Sequence, residues 1–356
     1  MSPAIVPFFI SHQGCPHQCV FCDQVKISGG VEALPSAAGI LARIDAFRAS
    51  ARLEGVEVAF YGGSFTTLPR EEQERLLFPL QPLLASGKVI SVRVSTRPDG
   101  VDSGCAEFLA GMGVGTVELG VQSLDDEVLA LAGRGHEASC VTETCRALRR
   151  AGMAVGMQLM PGLPGDTTEK ALASLDGVLA LRPDFLRIYP TLVIAGTRLA
   201  ALYRSGAYAP LTLAGAVTLC KVMLHRALAE DVKVVRIGLQ PTVELERGDV
   251  ILAGPYHPAF RQLVEADLCY DLLCKLTRGM AAASTVSVFC APSRVSDVIG
   301  QGRGNINRLA REHGVTISSV RGEPSLSRLE IVIESAGGIR RGDIVRDLEY
   351  EGGVQS

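Results

Sequence analysis

Between residues 4 and 239 the chain alternates short runs of Val, Ile and Phe with longer stretches of helical apolar periodicity. The short runs predict strands at 5–10, 56–61, 90–95, 116–121, 154–160 and 185–189, with a late one at 232–239. The longer stretches predict helices at 35–50, 70–85, 139–151 and 167–181. Strands and helices alternating at this spacing imply parallel strands joined by right-handed crossovers. The fold expected is α/β, a partial (β/α)6 barrel. In such a sheet the loops after the strands converge on one mouth, so functional side chains belong there.

Beyond residue 239 the pattern changes. Residues 240–257 are punctuated by Gly and Pro, including Gly254-Pro255-Tyr256-His257-Pro258, and read as a connector. A helix is expected at 259–280, then a strand at 284–290, a helix at 305–313 and a strand at 328–334. The Gly- and charge-rich tail from Ser335 is expected to fray. The predicted divisions are a barrel over 1–240, a connector with a flanking helix over 241–283, and a small α+β module over 284–356.

A chain of 356 residues is long enough for two such bodies, and 47% hydrophobic content with 38 glycines suits an α/β protein with many turns. A net charge of −3 gives no whole-molecule attraction to nucleic acid or membrane. The first residues lack a basic segment before their short apolar run, so no signal peptide is expected. No window reaches the roughly 18 uncharged apolar residues of a membrane span. A cytoplasmic location follows as the expectation, in a reducing poise that keeps thiols intact.

That poise matters because Cys15, Cys19 and Cys22 lie within eight residues, in Gly-Cys-Pro-His-Gln-Cys-Val-Phe-Cys. Three thiolates on so short a loop can hold three irons of a 4Fe-4S cube and leave the fourth iron open to a small molecule. The competing reading is zinc, which wants four ligands, usually as two separated Cys pairs. No second Cys-x2-Cys occurs, although His12 or His17 could complete a Cys3His set. The other cysteines (Cys105, Cys140, Cys145, Cys220, Cys269, Cys274 and Cys290) are scattered, which argues against a disulfide scaffold. Cys140 with Cys145, and Cys269 with Cys274, fall in helical stretches and read as small buried hydrophobes.

Further motifs end successive predicted strands. Phe60-Tyr61-Gly62-Gly63-Ser64-Phe65-Thr66 ends the second, and its two glycines let backbone approach a ligand closely. Ser95-Thr96-Arg97-Pro98-Asp99 ends the third. Glu118-Leu119-Gly120-Val121-Gln122-Ser123 ends the fourth, with Arg134-Gly135-His136 after it. Gln158-Leu159-Met160-Pro161-Gly162-Leu163-Pro164-Gly165-Asp166 ends the fifth.

Cys-x3-Cys-x2-Cys with an aromatic before the last Cys resembles the signature of the radical S-adenosylmethionine (SAM) enzymes. With the strand-end motifs, Arg187-Ile188-Tyr189-Pro190-Thr191-Leu192 and Gly196-Thr197, residues 4 to 240 resemble the radical SAM half of the Elongator catalytic subunit and its bacterial relatives. A less specific similarity extends to oxygen-independent coproporphyrinogen oxidase. The resemblance implies a radical SAM barrel with a 4Fe-4S cluster on Cys15, Cys19 and Cys22 and with SAM as cofactor. Phe21 would contact adenine, and Gly62, Gly63 and Ser64 would meet the methionine part. Ser95, Gln122, Arg134 and Gln158 would line the nucleoside and carboxylate, beside Pro161 and Gly162. Ser64 stands where the family usually has an acid, and Ser95 and Gln158 where the porphyrin enzyme carries acids. The implied chemistry is one-electron reduction of SAM to a 5′-deoxyadenosyl radical that abstracts hydrogen. An external reductant of flavodoxin or ferredoxin type is implied with it.

Two departures limit the resemblance. The Elongator subunit spaces its first two cysteines more widely, and it continues into an acetyltransferase domain. About 100 residues follow the barrel here, and Gln301-Gly302-Arg303-Gly304-Asn305-Ile306 fails the last position of the acetyl-CoA pyrophosphate loop, so acetyl-CoA use is not carried over by the resemblance. The segment from Val298 to Val315 instead resembles a KH module, whose Gly-x-x-Gly turn meets single-stranded RNA, with Arg303 in place of the second glycine. Residues 291–321 hold five Arg against one Asp and one Glu, a locally basic stretch suited to phosphate.

The leading expectation is modification of a base in tRNA or other RNA, with RNA contact through residues 291–321 and no membrane partner. The rivals are a radical SAM enzyme on a tetrapyrrole-like small molecule and a non-catalytic iron–sulfur RNA-binding protein. No catalytic residue is assigned. Tyr189, Arg134, His136, Tyr256 and His257 qualify only by falling on mouth-side loops or the connector.

Overall fold

The computed structural model describes residues 4–28, 33–51, 54–242, 245–246 and 248–350. Its main sheet has strands β1 (Ala4–Phe9), β2 (Val56–Tyr61), β3 (Val89–Thr96), β4 (Val114–Gln122), β5 (Ala154–Leu159) and β6 (Phe185–Ile188). Two short strands follow, β7 (Val193–Ile194) and β8 (Val234–Ile237). The sheet has seven strands in the order β1-β2-β3-β4-β5-β6-β8, and each pairing from β1 to β6 is parallel. This is the curled half-barrel that the alternating pattern predicts. Its outward strand positions are closely packed, with Val58, Phe60, Val92, Val94, Val117 and Leu119 fully buried.

The pattern misses where local rules break. The helix expected over 70–85 is three pieces: Arg70–Leu77, a 3-10 turn Phe78–Leu80, and Gln81–Ala85. Pro79 and Pro82 remove two amide donors there and force the breaks. The helix Leu213–Ala229 has no counterpart in the expected elements. Its residues from Leu219 to His225 are all buried, so no polar face marks its period. Thr212 caps it, accepting from the Gly215 amide at 3.0 Å.

The chain divides into two compact units, residues 1–211 with 239–254, and residues 212–238 with 255–356. In the first, part of the expected connector forms strand β9 (Ile251–Ala253), antiparallel to β7. Connector residues 243, 244 and 247 lie outside the described residues.

In the second unit, β10 (Thr285–Cys290), β11 (Thr316–Gly322), β12 (Glu330–Ser335) and β13 (Gly338–Asp343) form a sheet ordered β11-β10-β12-β13. The helix Phe260–Thr277 contacts Val295–Ile299 and Gly304–His313. The tail does not fray from Ser335: β13 pairs antiparallel with β12, and Asp343 caps the helix Ile344–Asp347. Residues 351–356 lie outside the described residues.

The basic stretch 291–321 is less open than its composition suggests. Arg294 is buried and paired with Glu265 and, at 3.0 Å, with Asp297. Arg308 reaches Asp267 and Glu312, and Arg311 reaches Glu312. Arg303 and Arg321 are exposed and form no ion pair among the described residues. Arg303 holds φ +62°, a left-handed conformation that glycine adopts readily. Among the described residues, no helix is long and apolar enough to cross a membrane.

Candidate cofactor site

The cysteine loop leaves β1 and folds onto the turn after β2. The Ser64 amide donates to Gln13 O at 3.0 Å and the His12 amide to Gly62 O at 3.2 Å. A side chain at Gly63 would put its Cβ 2.5 Å from both Gln13 O and Ile10 O, so the close approach requires glycine. The Ser64 hydroxyl is buried and committed: it lies 3.0 Å from Thr96 Oγ1 and accepts from the Arg97 amide at 3.3 Å. What the Gly-Gly turn presents is therefore backbone.

Cys15 is exposed, while Cys19 and Cys22 are half-buried. Desolvation of its sulfur by the surrounding protein pushes the Cys15 thiol up, helped by Cys19 and opposed by Arg97 and Arg134. Burial pushes Cys22 up to about 12, with Cys19 and Cys15 adding to it. The three sulfurs thus feel one another. Even so, no three His, Cys, Asp or Glu side chains stand at metal-binding distance among the described residues.

The charge around them is informative. Arg134 is 6% exposed, its Nη1 donating to Cys19 Sγ at 3.4 Å and its Nη2 to Gly120 O at 2.5 Å. Its Nε has no partner, and no carboxylate pairs with it among the described residues. Burying an uncompensated guanidinium costs several kcal/mol. The two anions that such a site invites are a thiolate-ligated cluster, which carries net negative charge, and a carboxylate. The donor set fits the iron–sulfur reading as well: three soft sulfurs from one loop. For the zinc reading, one nitrogen of His12 is already engaged, Nε2 accepting from the Gln24 amide at 2.8 Å, and the His17 ring packs on Gly135.

The other sequence-assigned residues gather around this loop, though several are already occupied. Phe21 is buried in an apolar cluster with Val20, Val128, Leu163 and Leu199. Ser95 is half-buried and its hydroxyl has no hydrogen bond among the described residues. Gln122 sits at φ +68°, a strained conformation for a side-chain-bearing residue, and its Oε1 accepts from Gln158 Nε2 at 3.1 Å. A Cβ at Gly120 would meet Gln122 Nε2 at 3.0 Å and Arg134 Nη2 at 3.4 Å, so any side chain here would push on these two groups. Pro161 O accepts from the Thr191 amide, and Gly162 is tied by its amide to Asp166 and by its carbonyl to the Tyr208 hydroxyl. Burial holds Asp166 up at about 6. Tyr256 and His257 belong to the second unit, where His257 Nδ1 accepts from the Ala259 amide at 3.0 Å.

A charged ladder across the inner face of the sheet escaped the sequence reading. Arg93 contacts Glu57 and Glu118, each at 2.8 Å. Arg187 meets Glu118 at 2.7 Å and donates to the Tyr189 hydroxyl at 3.1 Å. Tyr61 donates to Glu118 at 3.4 Å. Burial alone would lower Arg93, but hydrogen bonds to Glu57 and Glu118 hold it above the usual guanidinium range. Burial and the Glu118 charge push the Tyr61 phenol up. The available signal was a single charged residue in each of four otherwise uncharged strands: Glu57, Arg93, Glu118 and Arg187.

Comparison with known proteins gives the family. A model of the radical SAM superfamily matches residues 9–176, and one of the Radical_SAM C-terminal domain matches residues 183–269. The tRNA uridine(34) acetyltransferase of Dehalococcoides mccartyi is 39% identical over 129 residues, 35% of this chain and 28% of that protein. The protein of that name from Methanocaldococcus jannaschii is 27% identical over 252 residues, 58% of this chain and 46% of that one. Elongator complex protein 3 of Saccharomyces cerevisiae is 31% identical over 176 residues, 44% of this chain and 32% of the yeast protein. In each case the match spans less than half of the relative's length. The solved structure of archaeal Methanocaldococcus infernus Elp3 with an N-terminal deletion shares the fold, with TM-score 0.60 and 21% identity over 80% of this chain and 70% of that one. With the two domain models lying in tandem over about seven-tenths of its length, the chain belongs to the radical SAM superfamily, enzymes that work with a 4Fe-4S cluster and SAM.

Proposed function

We propose that this enzyme modifies a base in RNA, tRNA foremost, using a cluster held by Cys15, Cys19 and Cys22 and an external one-electron reductant of flavodoxin or ferredoxin type. The observation that carries the cofactor reading is Arg134, buried beside Cys19 with no carboxylate to neutralise it. Cluster and SAM together supply one-electron bond cleavage and a carbon radical able to take hydrogen from an unactivated C–H bond. The chain's residues do the rest. The Gly62-Gly63-Ser64 turn offers backbone to the methionine part. Arg134 supplies positive charge. Ser95, Gln122 and Gln158 line the nucleoside, over a floor set by Phe21, Pro161 and Gly162. The Glu57–Arg93–Glu118–Arg187 ladder keeps the inner wall of the half-barrel rigid and polar.

The RNA substrate is supported by relatives named for a tRNA uridine and for Elongator, and by the second unit. There Arg303, within the glycine-rich turn at 300–304, and Arg321, on β11, are the two unpaired arginines of 291–321 and would meet phosphate. Mass spectrometry of tRNA nucleosides from a strain lacking the gene tests this. A modified nucleoside should disappear, and tRNA crosslinking should be lost on truncation after Ala283. An unchanged nucleoside profile alongside SAM cleavage would point to a small-molecule substrate and sink the RNA reading.

A further inference from the structure

Arg134 is held in place by a second set of groups. Its backbone carbonyl accepts from Arg97 Nη2 at 2.5 Å. Arg97, 4% exposed, is gripped in turn by Asp99 through two parallel bonds, Nε to Oδ1 at 2.9 Å and Nη2 to Oδ2 at 2.8 Å. The Arg97 amide also donates to the Ser64 hydroxyl, so the residue is pinned to the turn after β2 as well. The chain of contact runs from Asp99 through Arg97 and Arg134 to Cys19 Sγ, joining the ends of β3 and β4 to the cysteine loop. A bidentate carboxylate–guanidinium fork fixes both partners in angle as well as distance, which a single contact does not.

We propose that Asp99, acting through Arg97, is a positioning residue that fixes Arg134 against Cys19 and so sets how readily the cluster is reduced. This rests on the cofactor reading above. The physical ground is that a donor and a positive charge at a ligand sulfur favour the electron-rich reduced state, and groups behind the ligands tune a centre through such contacts. Two effects of deleting Asp99 have opposite signs. Losing a nearby negative charge makes reduction easier, whereas releasing Arg134 from Cys19 makes it harder. The proposal commits to the second.

The test is the midpoint potential of the anaerobically reconstituted full chain, with iron and sulfide content measured alongside. D99A, R97K and R134Q should each move the potential negative. The expected shift is about tenfold less reduced cluster at a fixed reductant, or ~59 mV for a one-electron step. The double variant D99A/R134Q should move no further than R134Q, because both act on one contact. R97K keeps the charge but loses the planar fork, so it carries the test if D99A fails to fold. A potential that rises or stays still in D99A and R97K, or an additive double variant, overturns the proposal. Wild-type protein that takes up no iron and sulfide overturns the cofactor reading and this inference with it. A wild-type cluster whose potential ignores these substitutions overturns this inference alone.

Discussion

Two sets of buried charges in the first unit differ in balance. On the inner face of the sheet, Glu57 and Glu118 meet Arg93 and Arg187, two acids for two bases, each contacting its partner at 2.7–2.8 Å. Beside the cysteine loop, Asp99 pairs with Arg97 at 2.8 Å, and Arg134 has no carboxylate of its own among the described residues. The first set is complete and behaves as scaffold, since its desolvation cost is offset within the set. The second leaves one guanidinium over, and that surplus faces three thiols. A surplus buried charge is tolerated where a bound anion completes it, so imbalance separates the site from its frame.

The strongest test of that contrast removes the sulfurs. Substituting Cys15, Cys19 or Cys22 by Ala should abolish iron and sulfide uptake and reduce 5′-deoxyadenosine formation from SAM to background, with little change in unfolding free energy. Next comes Glu118→Ala, which leaves the half-buried Arg187 without its carboxylate and Arg93 with Glu57 alone, and should cost ~3 kcal/mol in urea unfolding. Arg134→Gln in cluster-free protein should instead cost under ~1 kcal/mol or stabilise, because it deletes a charge that has no counter-ion. Equal costs for the two would erase the distinction.

A smaller effect concerns His136, whose side chain is 1% exposed, 3.9 Å from Asp99, with no hydrogen-bond partner for either ring nitrogen among the described residues. Burial, with Arg134 next, lowers its pKa from 6.5 to about 4. The unfolded chain therefore takes up the proton first. Stability present above about 6.5 should fall as pH drops toward 4, at up to ~1.4 kcal/mol per pH unit. His136→Gln should flatten this part of the pH–stability curve, measured by urea titration at each pH. The smallest effects are in the second unit. Arg303→Ala or Arg321→Ala should each lower the slope of log tRNA affinity against log salt by about one and change stability by less than ~0.5 kcal/mol. Arg311→Ala, whose charge is already taken by Glu312, should leave that slope alone.

Much of the first unit could be read from the chain. Strand β2 has the bounds the pattern predicts, and β3 and β4 extend theirs by one or two residues at each end. The helix at 213–229 could not be read, since burial on every side removes the period that marks a helix. Among site residues, the cysteine trio and the Gly-Gly turn were visible as short local strings. The occupied state of the Ser64 hydroxyl and of both Gly162 backbone groups was not, because their partners Thr96, Asp166 and Tyr208 come from other segments or later turns.

Ligand chemistry, strand order and the position of the mouth were all written in local spacing, because three sulfurs on one loop and a period of strand and helix depend on near neighbours. Charge balance was settled by folding. Glu118 finds Arg93 across 25 residues and Arg187 across 69, and parallel register is what brings them together. The fold likewise brings Arg134, in the loop after the helix that follows β4, to Cys19 across 115 residues without a carboxylate beside it among the described residues. A count of charges along the chain weighs every arginine alike, whereas the folded sheet neutralises some and leaves Arg134 facing the sulfurs.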